Sequence, residues 1–182
     1  MTMTATRHIR LDLGSPSSCQ KAIAEIEAYK NEIKQKLTTL VNSLVNEGIK
    51  VAAIRISSAQ GDSKRPDVDY EINSDGDIIR ATISLKGHDA LFIEFGAGIA
   101  YNTGKQNPWA SELGYGPGTW PSEHPPNRAI NPGYWYYNTS DSSGAKVSGV
   151  RSIGTEATMP LYGAYESVRN NAIRRAVEVF RS

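Results

Sequence analysis

One apolar stripe limits what this chain can fold into. Ile23, Ile26, Ile33, Leu37, Leu40 and Leu44 recur at three-, four- and seven-residue intervals, with Tyr29 or Lys30 at the skipped turn. That spacing places them on one face of an α-helix, which the pattern predicts over residues 16–47. Ser15 stands where a hydroxyl caps free amide groups. Pro16 suits the first helical position, because its missing N–H is not needed there. Glu32 and Lys36 sit four apart in the favourable order. Gly48 is placed to end the helix in the left-handed conformation. Such a helix is about 45 Å long at 1.5 Å per residue, beyond the usual range of roughly 8–20 residues. Either it breaks, or its stripe packs partly on its own core and partly on a partner.

A second helix is expected at the other end, capped by Thr158, with Pro160 in its tolerant first turn. Leu161, Tyr165, Val168, Ala172, Ala176 and Val179 form its stripe. Arg169, Arg174, Arg175 and Arg181 decorate the rest, and Arg181 near the end suits the helix dipole.

Strands fill the middle. Residues 8–13 read as a short strand. Residues 49–57 alternate imperfectly and read as a strand, with continuation of the helix as the alternative. Two alternating runs flank Ser74-Asp75-Gly76-Asp77, and an Asp-Gly pair in that setting signals a hairpin. A two-residue Asp75-Gly76 loop pairs Ile72 with Ile79, Tyr70 with Ala81 and Val68 with Ile83 on one face. It sets Glu71 against Arg80 on the other. After a turn at Gly87-His88-Asp89, residues 90–95 read as a third strand, with Leu91, Ile93 and Phe95 inward and Phe92 and Glu94 on the other face. Residues 134–137 read as a strand, 138–149 as a Ser/Gly turn region, and 150–153 as the returning strand. Helices at both ends of a block of strands imply a single α+β domain over residues 1–182, with both helices on an antiparallel meander. Residues 1–7 are expected to be flexible.

Between these elements lies a long segment rich in Gly and Pro, expected as an insertion loop over 99–133. Residues 96–154 hold all three tryptophans, Trp109, Trp120 and Trp135, together with Tyr101, Tyr115, Tyr134, Tyr136 and Tyr137. Loops longer than roughly 12–15 residues are usually functional or disordered, and disordered segments are poor in aromatics. The rings therefore read as an arm that packs against something. Trp109, Tyr115, Trp120, Trp135 and Tyr136 are the candidate interface residues, because interfaces favour such anchors. The bland alternative is a loop that covers its own domain.

Charge and cysteine narrow the function classes. Twenty basic and nineteen acidic residues leave a net charge of +1, with no footprint for nucleic acid and no polybasic membrane patch. Cys19 is the single cysteine, so no internal disulfide can form. No run approaches 18 apolar residues, so no membrane span is expected. No apolar leader core follows the Thr-rich first residues. Asn138-Thr-Ser reads as a chance match to a glycosylation acceptor in a polar turn.

Nothing in the sequence forms a recognisable catalytic set. His8, His88 and His124 lack ligand spacing. The run from Glu71 to Ile78 partly mimics a calcium loop, but Thr82 stands where a bidentate Glu is required. Gly96-Ala97-Gly98 lacks the third glycine of a phosphate cradle, and no nucleophile elbow is present. No catalytic residue, metal or cofactor is expected, and the chain reads as a non-enzyme. The enzymatic alternative is a cell-wall module that binds glycans or cleaves peptidoglycan. It would use Glu94 or Glu123, with Glu112 nearby, beside the tryptophans.

The segment Ala90-Leu-Phe-Ile-Glu-Phe-Gly-Ala-Gly98, and Gly154-Thr-Glu-Ala-Thr-Met-Pro160 before the last helix, carry a resemblance. Together with the long first helix and the hairpin, they resemble the head–tail joining, or tail-completion, proteins of tailed bacteriophages. Gly118-Thr-Trp-Pro121 and Trp135-Tyr-Tyr137 are similar to the loop of a subgroup from phages and prophages of Gram-positive bacteria. The resemblance implies a structural virion protein at the neck or top of the tail, assembled in the host bacterial cytoplasm. It implies a homo-oligomeric ring joined to other neck and tail proteins (connector, tail terminator or tube), with DNA passing through without specific contacts. The positions it carries over are Glu94, Phe95, Gly96, Gly98, Met159 and Pro160, as residues that shape the fold.

Overall fold

The structure, a computed structural model, describes residues 8–61, 64–97, 107–113, 135–140, 143, 146–152 and 154–181. In order they form α1 (Pro16–Ser58), β1 (Asp67–Asp75), β2 (Ile78–Lys86), α2 (Ala90–Phe95), β3 (Trp135–Ser140), β4 (Lys146–Ser152) and α3 (Pro160–Arg181). The class is α+β, with a long helix at each end. The described strands make two separate antiparallel pairs, β1–β2 and β3–β4, instead of one meander.

Helix α1 starts as its sequence dictates. The Ser15 hydroxyl accepts the Ser18 amide at 3.4 Å, and Pro16 occupies the first turn. Residues 8–13 are not a strand. The Asp12 carboxylate accepts the Gly14 amide at 3.0 Å and its carbonyl accepts the Ser15 amide at 3.1 Å, so the segment curls onto the helix start.

The helix does not stop at Gly48, and residues 49–57 are not a strand. It runs to Ser58, about 65 Å at 1.5 Å per residue. The buried positions Val45, Gly48, Ala52 and Ile56 explain why. Their three- and four-residue spacing continues the stripe, and packing outweighs the β-branched residues among them. Gly48 instead marks a crossing. A Cβ there would stand 2.6 Å from Ile83 Cδ1 and 3.3 Å from Val168 Cγ2.

Helix α3 lies antiparallel to the second half of α1. Arg55 meets its start, and Glu47 meets its middle. The Glu47 carboxylate accepts hydrogen bonds from Ser167 (2.8 Å), Asn171 (2.5 Å) and Arg175 (3.3 Å). Burial pushes the Glu47 carboxyl up, but those bonds and the Arg175 charge outweigh it and hold it below its ordinary value. A lowered native pKa contributes stability above the unfolded pKa, and the contribution is lost as pH falls through the native one. Urea titrations of Glu47→Gln should therefore show a loss of about 1–2 kcal/mol at pH 7. The gap to the parent should close toward pH 3.

The hairpin forms, but two residues out of the expected register. Asp75 pairs with Ile78, so Gly76 and Asp77 make the loop. Gly76 has φ 59° and Asp77 is not in the positive-φ region, as in a turn whose first central residue is glycine. Ile72 then meets Ala81, Tyr70 meets Ile83, and Val68 meets Leu85. A slip of two keeps every side chain on its face, so the apolar pairing survives. The Glu71–Arg80 pairing does not. Glu71 stands opposite Thr82 and accepts from Asn73 at 2.9 Å.

Residues 90–95 are a short helix, not a third strand. The Asp89 carbonyl accepts the amides of Phe92 (3.0 Å) and Ile93 (3.2 Å), and Gly96 ends the turn at φ 80°. Six apolar-rich residues fit either structure by pattern alone. The helix buries Ile93, Glu94 and Phe95 together, so Glu94 does not fall on an outer face. The pair β3–β4 matches the expected pairing and is longer at its turn end, taking in Ser140 and Lys146. Asn138 sits at its register shift, within a strand and not in a turn.

Candidate functional site

The chain leaves the frame after Ala97 and returns at Thr155, and those two residues bridge each other. The Ala97 amide donates to the Thr155 carbonyl at 3.0 Å, and the Thr155 amide to the Ala97 carbonyl at 2.9 Å. Gly61, just past α1, bridges Thr155 from the other side, and the Glu156 amide donates to the Gln60 carbonyl at 2.8 Å. Residues 154–159 are thus clasped between the ends of α1 and α2. The Ile93 carbonyl accepts the amides of Thr158 (3.0 Å) and Met159 (3.3 Å). From the α1 side, Arg55 Nη1 donates to the carbonyls of the same two residues at 3.0 and 3.3 Å. This grip holds Met159 at φ 52°, a conformation a non-glycine residue rarely adopts.

Thr158 does not cap α3; its buried hydroxyl has no hydrogen-bond partner among the described residues. The cap comes from α2. Glu94 Oε2 accepts the Leu161 amide at 2.8 Å, and Oε1 accepts the Tyr162 amide at 3.0 Å and Asn107 Nδ2 at 2.8 Å. A carboxylate at a helix N-terminus answers both the free amides and the dipole. Burial is the largest influence on Glu94 and pushes its carboxyl up, against the three hydrogen bonds and the more distant Arg55 charge. Both fold-shaping motifs therefore meet in one place. Glu94-Phe95-Gly96 ends α2, Met159-Pro160 starts α3, and the Glu94 side chain ties them.

Beside this latch lies an open groove of about 590 Å³ between β2, α2 and α3. Ile83, Leu85, Leu91 and Val168 line its floor and walls. Trp109 stands at its rim, edge-on to Tyr162 (centroids 5.7 Å) and tilted against Tyr165 (5.0 Å). The Trp109 amide donates to Asn107 Oδ1 at 3.0 Å, so the latch also positions the ring.

Of the candidate interface residues, Trp109 lies here, partly exposed and packed on its own α3. Trp135 and Tyr136 stand on β3, paired with Ser152 and Arg151. Tyr115, Trp120, Tyr101, Glu123 and Gly98 lie outside the described residues, as does most of the expected 99–133 loop. Glu112 is exposed. Arg55, Asn107 and Thr155 were not marked as site residues by the sequence. Only Asn107-Pro108, a turn-starting pair, carried a local signal. Among the described residues no cluster of His, Cys, Asp and Glu is arranged to hold a metal, and no helix is long and apolar enough to cross a membrane.

Among the described residues two further apolar faces are exposed. Since Glu47 meets Asn171, Arg181 lies alongside about residue 37 of α1. Most of the first half of α1 therefore extends past the end of α3. On it Ile23 and Ile26 are 56% and 54% exposed. Ile26 lines a notch of about 370 Å³, formed with Tyr29, Lys30, Ile33, Lys34 and Leu37 against the hairpin tip. The tip is held to the helix by Lys30–Asp77 (3.2 Å) and by Lys34 Nζ to the Gly76 carbonyl (3.2 Å). The second face is the outer side of α3, where Tyr165, Ile173, Val177 and Phe180 form a stripe, with Ile173 81% exposed.

Comparison with known proteins returns no match: no family model, no curated protein and no solved structure aligns with the chain.

Proposed function

We propose that this chain is a structural subunit of a tailed-phage or prophage virion. It assembles as a homo-oligomeric ring at the neck or top of the tail, and it joins neighbouring neck and tail proteins while DNA passes through. The observation that carries this reading is the pair of uncovered apolar faces at separate places on one protomer, on α1 and on α3. Two different faces on one chain suit head-to-tail assembly, which gives a ring when the rotation between copies closes. The coupling of the two resemblance motifs through Glu94 supports the same reading, because it gives each motif a reason to exist that is not catalysis.

The cell-wall reading loses its best acid. Glu94 lines the groove beside Trp109, but both its oxygens are committed to holding α3. Light scattering of the purified chain from micromolar to near-millimolar concentration tests the proposal. A discrete high-order species, seen as rings by electron microscopy, is the expected result. A monomer across that range overturns it.

A further inference from the structure

We infer that Thr158 is a reserve cap for α3: when Glu94 withdraws, Met159 turns from its left-handed conformation into the helix, and Thr158 takes over both backbone amides that Glu94 holds. The inference does not depend on the ring reading.

Three observations meet at this point. Met159 sits at φ 52°, a costly conformation for a non-glycine residue. One position earlier, the Thr158 hydroxyl is buried with no hydrogen-bond partner among the described residues. Just beyond Pro160, the Leu161 and Tyr162 amides depend on a side chain from another element, Glu94 of α2, at 2.8 and 3.0 Å.

Capping geometry joins the three. In the present state Met159 is the residue whose carbonyl accepts the first helical amide, that of Gly163 at 2.9 Å. Turning Met159 to a helical φ starts the helix one residue sooner, with Thr158 as its cap. The hydroxyl of a capping threonine reaches the amide three positions on, which is Leu161. Its carbonyl accepts the amide four positions on, which is Tyr162. Those are the two amides now bonded to Glu94. Pro160 then falls in the first turn, where a missing N–H leaves nothing unsatisfied.

Opposing costs set which state is occupied. The turned state relieves Met159 and gives the Thr158 hydroxyl a partner. Against it, the residue before a proline is disfavoured in helical conformation. The turn also gives up the Arg55 bond to the Thr158 carbonyl (3.0 Å) and the bond from the Met159 amide to the Ile93 carbonyl (3.3 Å). Asn107 Nδ2 loses its Glu94 acceptor in any case. Thr158 therefore serves only when Glu94 lets go, and it recovers part of what Glu94 contributes. With this reserve, α2 can part from α3 without unwinding the first turn of α3.

The test is a double-mutant cycle on the full chain, read by urea unfolding and by amide hydrogen exchange. In the parent, Thr158→Val should change the unfolding equilibrium constant by less than about threefold, since the hydroxyl it removes bonds nothing among the described residues. In the Glu94→Ala background the same substitution should raise that constant about tenfold, the worth of a helix cap. Thr158→Ser should leave the Glu94→Ala value unchanged, because serine also caps. The Leu161 amide should stay protected from exchange in Glu94→Ala and exchange about tenfold faster once Thr158→Val is added. Should Glu94→Ala not fold, Glu94→Gln takes its place: its carboxamide offers one acceptor oxygen where the carboxylate offers two, so it frees one of the amides. An equal effect of Thr158→Val in both backgrounds overturns the inference. So does a Leu161 amide that exchanges freely in the Glu94 variant whatever residue stands at 158. Neither result touches the ring reading, which light scattering decides separately.

Discussion

Replacing Glu94 by Ala should remove about 3 kcal/mol of stability, or roughly 6–12 °C in Tm for a chain of this length. The substitution strips the cap from α3 and strands three donors, the amides of Leu161 and Tyr162 and the Asn107 side chain. A lost cap costs about 0.5–2 kcal/mol, and each buried donor left unpaired about 1–3. The loss should also depend on pH, with a sign opposite to that of Glu47. Burial raises the native carboxyl, so its contribution is full below the unfolded pKa and fades as pH rises through the native value. The Glu94→Ala deficit should therefore be larger at pH 4 than at pH 7 in urea titrations. A catalytic Glu94 makes the contrary prediction, since its removal would spare the fold and abolish turnover. Unchanged stability in the Ala variant would return Glu94 to the catalytic candidates.

Gly61→Ala should be comparably damaging, at about 3 kcal/mol or more by thermal unfolding. Gly61 has φ 113°, and a Cβ there would stand 2.1 Å from the Gly154 carbonyl oxygen and 2.6 Å from Thr155 Cα. Backbone strain of that kind costs about 1–3 kcal/mol on its own. The colliding atoms are main chain on the clasp, which cannot swing aside as a side chain would. A variant as stable as its parent would mean that the Thr155 bridge contributes little to orienting α3.

What the sequence revealed follows from how local each signal is. The start of α1, the hairpin, the β3–β4 pairing and the last helix are written in neighbours along the chain, and the structure has them. Gly48 misled because its local meaning, a helix end, differs from its tertiary one, a close crossing with β2 and α3. Residues 90–95 misled because alternation over six residues is also one and a half turns of helix. The hairpin loop moved by one residue, and the register by two, because Asp-Gly and Gly-Asp both serve a tight turn and the apolar faces do not distinguish them. The latch was half legible. Both of its motifs were visible as short patterns. The bond between Glu94 and the amides of Leu161 and Tyr162 joins residues far apart in sequence, and no periodicity encodes it.

Because Ala97 and Thr155 hold each other, whatever is carried between them starts and finishes at the same spot. A tether pinned at both ends feels changes in its length only weakly, by about 0.6 kcal/mol for each doubling. Apart from Asn107, which the latch needs, and Trp109, which packs on α3, the helical frame is therefore a socket. Excursions of differing length can be spliced into it while the scaffold stays the same.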